Sequence, residues 1–152
     1  MSVSTTPMNE INTKAAPVPV GAYPHARRAG PFLFLSGVGP RQPGSGAVPG
    51  NVYGASGELL AYDIKAQCQA VFANVRRVLE AAGAAWEDLV DITVFLTDMQ
   101  RDFAVFNQVY AEHFTDHRPT RTTVEVGALP TAIAVELKCI ALAPDLAPEH
   151  KP

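Results

Sequence analysis

Across residues 61–82, apolar side chains recur at Ile64, Cys68, Val71, Val75, Val78 and Leu79, the three- and four-residue spacing of one helical face. Gly83 follows and predicts the stop, because the position just past a helix often takes the left-handed conformation that glycine adopts freely. A second helix is predicted over about 101–114, with Phe103, Phe106, Tyr110 and Phe114 as its core stripe. Strand patterns surround these helices. Residues 23–28 and 32–36 flank the turn cluster Ala29, Gly30 and Pro31 and read as a hairpin. The run DITVFLTD at 91–98 is β-branched and aromatic, as in a buried strand. Residues 120–126 and 133–142 read as two more strands, joined by a turn around Leu129 and Pro130. Residues 38–57 hold much of the glycine together with Pro40, Pro43 and Pro49, and read as one long loop of the kind that often closes over a ligand.

The resulting order, ββαβαββ, predicts an α+β sandwich in which two helices pack on one face of a mixed sheet. In the last strand Ile133, Val135, Leu137, Cys139 and Ala141 share one apolar face, while Ala134, Ile140 and Leu142 add apolar groups to the other. Two apolar faces need two covers, and a single helix layer supplies one. Association between subunits is therefore expected to cover the second.

The length of 152 residues, with 47% hydrophobic and 18% charged content, fits one domain with a modest core. Residues 1–16 read as a flexible arm, 17–143 as the domain and 144–152 as a tail. No stretch in the arm is apolar enough for a signal peptide or membrane span, so a soluble, cytoplasmic protein is expected. Net charge is −3 and the basic residues are scattered, which disfavours nucleic acid as a partner. Cys68 and Cys139 show no metal or redox spacing and read as packed thiols. There is no phosphate loop, zinc-protease helix or Gly-x-Ser-x-Gly elbow, so neither a metal nor an organic cofactor is expected.

Against this plain background, RPTRTTVEVGALP at 118–130 places Arg121 in a half-buried strand pattern, and Glu136 stands in the apolar strand that follows. An ionised side chain taken out of water costs several kcal/mol unless it is paired or hydrogen-bonded. The two charges therefore mark either a built polar site or an internal ion pair that holds the strands in register. By alternation Arg121, Thr123 and Glu125 share one side of their strand, and Thr122, Val124 and Val126 the other.

The Pro-x-Arg-Thr-x-Val-x-Val stretch, the Leu-Pro after it and the Glu fifteen residues beyond the Arg resemble the reactive intermediate deaminase (Rid, or YjgF-like) family. The resemblance extends to Gly21-Ala22-Tyr23-Pro24, to the FLFLSG run at 32–37 and to FAVFNQVY at 103–110, and spans about 17–143. It implies a chorismate-mutase-like homotrimer with active sites in clefts between subunits, and cofactor-free hydrolysis of enamines or imines to a carbonyl compound and ammonia. In those terms Arg121 would hold the substrate carboxylate, and Glu136 would hold and deprotonate the attacking water. Tyr23, Ser36, Gly37 and Asn107 match other pocket positions. Thr123 stands where many relatives carry Cys, keeping a carbonyl that helps hold the water while removing any thiol role.

Two further features, His25 after Tyr23-Pro24 and Ser36-Gly37-Val38 leading to Arg41, are similar to 2-aminomuconate deaminases of bacterial aromatic catabolism. The implied reaction converts 2-aminomuconate to 2-oxohex-3-enedioate and ammonia. A dicarboxylate wants two cationic anchors, so Arg41 or His25 is expected to meet the distal carboxylate. The alternatives are a general deaminase of 2-aminoacrylate and its imine, and a ligand-binding or chaperone-like protein without turnover.

Overall fold

Helix α1 (Ile64–Ala81) begins where the Asp63 carboxylate accepts the N–H of Ala66 at 3.1 Å. It ends at Gly83, whose φ of 76° lies in the left-handed region. Helix α2 (Met99–His113) begins likewise, with Asp98 accepting from the N–H of Arg101 at 3.0 Å. The computed structural model describes residues 9–144. Its strands are β1 (Glu10–Ile11), β2 (Ala26–Ala29), β3 (Phe32–Leu35), β4 (Val52–Tyr53), β5 (Leu59–Ala61), β6 (Leu89–Leu96), β7 (Thr120–Glu125) and β8 (Val135–Leu142). Six of them form one sheet in the order β1-β2-β3-β8-β6-β7, and β4 and β5 pair separately.

The sheet is mixed: β6 and β7 are parallel, with α2 as their crossover, and the remaining pairs are antiparallel. Both helices cover one face. There Cys68, Val71, Val75, Val78 and Phe106 meet Leu33, Leu35, Ile92, Val94 and Leu137, all at most 1% exposed. Each such large side chain contributes about 2 kcal/mol on burial. The expected α+β arrangement thus forms, with the two helices packed on the sheet. No described helix is long and apolar enough to cross a membrane.

Among the described residues, the opposite face keeps large apolar side chains exposed. Phe32, Phe34 and Leu142 remain 39%, 37% and 46% exposed there.

Several expectations change. Residues 9–16 of the supposed arm are tied down, with β1 paired to β2 and Ala16 buried; residues 1–8 and 145–152 lie outside the described residues. The loop 38–57 is not structureless, since Val38 bridges to Leu137 and β4 turns back onto β5. Phe103 leaves the core stripe of α2: the fully buried positions are Asp102, Phe106 and Val109, and Phe103 is 37% exposed. Ala134 is buried rather than on the open face, because the chain enters β8 with the Ala134 N–H donating to the buried Gln67 Oε1 at 2.8 Å.

Candidate active site

In the β6–β7 pair Arg121 lies opposite Ile92, and Thr123 opposite Val94. Ile92 and Val94 point into the core, so Arg121 and Thr123 face the helix layer, as alternation along β7 predicts. Helix α2 presents Phe103, Phe106, Asn107 and Tyr110 to that spot at helical spacing. Arg121 Nη2 donates to Asn107 Oδ1 at 2.7 Å, and the guanidinium carbon lies 4.6 Å from the Tyr110 ring centre. Phe106 and Phe103 complete the box at 5.5 and 5.9 Å. Among the described residues no carboxylate pairs with this cation. Thr123 Oγ1 and Tyr110 Oη are buried beside it without hydrogen-bond partners. Burial pushes the Tyr110 hydroxyl up to about 12 despite the opposing charge of Arg121.

Glu136 lies opposite Phe95 in the β6–β8 pair, whereas its neighbours Val135 and Leu137 pair with Leu96 and Val94 in the core. Ile92 and Phe95 are three residues apart on one strand and so point to opposite faces. Glu136 therefore stands on the open face, two strands from Arg121 and across the sheet from it. The internal Arg–Glu pair does not form, and one chain does not bring the two groups into one site. Burial alone raises the Glu136 carboxyl above its ordinary 4.5. Its close neighbour is Gly37, where an added Cβ would lie 3.0 Å from the carboxylate carbon.

Glu136 faces a small cavity of about 30 Å³ whose wall includes Tyr23, Gly37, Gly39, Arg41 and Ile133. Ile133, expected to share one strand face with Val135, Leu137, Cys139 and Ala141, instead belongs to this wall. A neighbouring cavity shares Tyr23, Gly37 and Arg41 and adds Pro24, His25 and Ser36. Three of the polar groups here are held. Tyr23 Oη accepts the Val20 N–H at 3.2 Å, Ser36 Oγ donates to the Pro24 carbonyl at 2.7 Å, and Arg41 Nη2 donates to the Val18 carbonyl at 2.8 Å.

His25 is committed to the backbone. Its Nδ1 accepts the Thr13 N–H at 3.3 Å, which leaves Nε2 to donate to the Pro17 carbonyl at 2.8 Å in the neutral tautomer. Neither nitrogen is left for a substrate carboxylate, and the ring's work is to fasten residues 13–17 onto the hairpin.

The predicted residues thus fall into two groups: Tyr23, His25, Ser36, Gly37, Arg41 and Glu136 on one side, and Asn107, Arg121 and Thr123 on the other. Sequence reasoning missed Thr131, which lines the Glu136 cavity with a φ of 64°, an uncommon conformation for a β-branched residue. It also missed Tyr110 as the nearest ring on Arg121, having placed it only in the core. Cys68 and Cys139 are free, buried thiols, pushed up to about 12 by burial. Among the described residues no group of three or more His, Cys, Asp or Glu is placed to hold a metal ion.

Chemically, one side offers an unneutralised planar cation in an aromatic box, suited to a carboxylate. The other offers a half-buried carboxyl, unpaired among the described residues, of the kind that can exchange a proton. The family model described as Endoribonuclease L-PSP matches residues 13–143. A RutC family protein of Pyrococcus horikoshii is 41% identical over 131 residues, covering 86% of this chain and 94% of its own. The chloroplastic Reactive Intermediate Deaminase A of Arabidopsis thaliana is 32% identical over 141 residues, covering 93% and 69%. The crystal structure of E. coli TdcF with bound serine superposes with a TM-score of 0.75 at 33% identity, covering 88% of this chain and 97% of that one. A match this complete, to sequences and to a solved fold alike, means that the chain belongs to the Rid (YjgF-like) family.

Proposed function

We propose that the protein hydrolyses 2-imino acids, and enamines that tautomerise to them, to 2-oxo acids and ammonia. The observation that carries this reading is Glu136: a half-buried carboxyl with no ion-pair partner among the described residues, raised by burial and facing a cavity. Such a group can take a proton from water and return it. Glu136 removes a proton as the water oxygen bonds to the imine carbon. The carbinolamine formed from the protonated imine receives that proton on nitrogen, the C–N bond breaks with its electron pair leaving on ammonia, and the carbonyl forms as the hydroxyl gives its proton to Glu136, which passes it to the departing ammonia. Arg121, fixed by Asn107, binds the substrate carboxylate and sets the carbon against the water.

Because Arg121 and Glu136 occupy opposite faces of the sheet, this chemistry needs a second copy of the chain, whose Arg121 side meets its neighbour's Glu136 side. The uncovered apolar face with Phe32 and Phe34 supports association of that kind. The count of three subunits, with pairing of trimers into hexamers as an extension, rests on the resemblance alone.

Small monocarboxylates such as the imine of 2-aminoacrylate are the favoured substrates. The name of the Arabidopsis relative and the serine bound to TdcF support this choice. A second reading, 2-aminomuconate, is favoured by Arg41, which shares the cavity wall with Glu136 and supplies a cation for a distal carboxylate. RNA cleavage, suggested by the family description, is disfavoured by a net charge of −3 with no basic cluster.

Ammonia release from the imine of 2-aminoacrylate and from 2-aminomuconate, measured side by side with Arg121→Ala and Arg41→Ala variants, tests these readings. Turnover that vanishes in Arg121→Ala is expected for either substrate. A KM increase in Arg41→Ala confined to the dicarboxylate would select 2-aminomuconate. No turnover of either substrate would leave a binding protein in place of an enzyme.

A further inference from the structure

Asn74 lies at 0% exposure on α1, yet all its side-chain hydrogen bonds but one go to the loop that carries Arg41. Its Nδ2 donates to the Gly39 carbonyl at 2.8 Å and to the Arg41 carbonyl at 2.7 Å. Its Oδ1 accepts from Arg77 Nη1 at 2.7 Å. The amide can sit only one way round, since the reverse would aim an oxygen at two carbonyls and an NH2 at a guanidinium. The two pinned carbonyls flank Pro40, whose ring already limits φ. Gly39 is packed as well, because a Cβ there would lie 3.1 Å from Ile133 Cδ1 in the cavity wall. The main chain from 39 to 41 is thereby fixed from inside the helix layer, and the Arg41 side chain projects from that fixed point to the Glu136 cavity.

We propose that Asn74 is a positioning residue for the anion-binding end of this cavity, acting through Arg41, with Arg77 acting on the same amide from behind. A buried Asn inside a helix is unfavourable by propensity and costly unless fully bonded. Here its donors serve only the loop beside the cavity, so the arrangement orients Arg41 rather than joining helix to helix. The inference rests on the second of the two substrate readings, in taking the occupant to carry a distal carboxylate.

The test is calorimetric titration of the full chain with muconate, an unreactive dicarboxylate, and with pyruvate, in the wild type, Asn74→Ala, Arg77→Ala, Arg41→Ala and the Asn74→Ala/Arg41→Ala double variant. Asn74→Ala is expected to weaken muconate about tenfold, to leave pyruvate within about twofold, and to add nothing to Arg41→Ala, as coupled residues do. Arg77→Ala, at a less buried position, is expected to shift muconate in the same direction by a smaller factor, and it carries the test if Asn74→Ala does not fold. Equal weakening of both ligands, additivity with Arg41→Ala, or no muconate binding by the wild type would overturn the proposal. Failure of the wild type to release ammonia from imines would instead sink the deaminase reading, leaving the muconate comparison to stand or fall by itself.

Discussion

Gly37 gives Glu136 its space: a Cβ at position 37 would lie 3.0 Å from both the carboxylate carbon and Oε1 of Glu136. Such a contact forces the carboxylate to turn away or the loop to shift, since real Cβ atoms rarely approach so closely. Gly37→Ala is expected to lower kcat at least tenfold, the scale of a misplaced catalytic group. Its melting temperature should stay within a few degrees of the wild type, because the carboxylate borders an open cavity rather than the core. Unchanged kcat would remove Glu136 from the reaction.

Burial raises the Glu136 carboxyl above 4.5, and a base must be ionised to act. The rate is therefore expected to rise with pH through that raised value and then level off. Glu136→Gln should abolish this limb and lower kcat by about 10²–10⁴. Linkage gives the stability an opposite slope. The folded chain holds this proton more tightly than the unfolded one, so the contribution is fully present below pH 4.5 and is lost as pH rises through the raised value. Rate and denaturation profiles of the two proteins, recorded over the same pH range, check both signs.

The Asn107 amide fixes Arg121 without neutralising it. Asn107→Leu is expected to raise KM about tenfold while kcat falls less, and Asn107→Asp to be worse. An aspartate there would pair with the guanidinium and compete with the substrate carboxylate. Steady-state kinetics that rank the two variants the other way would show that Asn107 does more than hold the arginine.

Asp102 is a buried carboxyl away from the proposed chemistry. Its Oδ2 accepts from Tyr62 Oη at 2.7 Å, but Oδ1 has no hydrogen-bond partner, and Arg101 Nε stands 3.7 Å away. Burial raises its pKa, so the folded state favours the protonated form, and stability falls as pH climbs from the ordinary carboxylate range through the raised value. Asp102→Asn keeps an acceptor for Tyr62 and removes the charge. It should melt a few degrees higher than the wild type at pH 7 and show no such fall in a thermal scan. A lower melting temperature would mean that the Arg101 contact outweighs desolvation.

The elements with strong local periodicity are legible in the sequence. The spacing of Ile64 through Leu79 with Gly83 behind it, and the β-branched run inside β6, each encode their conformation within a few residues. The alternation that puts Arg121 and Thr123 on one side of β7 is equally local. The strand β1 was not legible, because Glu10 and Ile11 show no pattern of their own and form a strand only by pairing with β2. Phe103 was misplaced for a related reason. An aromatic stripe on a helix shows which residues share a face, but not which of them the sheet covers.

Read alone, the chain shows its α+β class, both helices and the longer strands, its family and the identities of the candidate acid–base and anion-binding groups. Each of these is carried by local spacing or by contiguous motifs. That Arg121 and Glu136 look out from opposite faces of one sheet, and that His25 is spent on the backbone of residues 13 and 17, follows only from the folded arrangement. The facing of the two charges depends on how β7 and β8 register against β6, with Ile92 serving one and Phe95 the other. A register is a relation among three strands distant in the chain, settled by the packing that buries Ile92, Val94 and Leu137 together, and no single segment contains it.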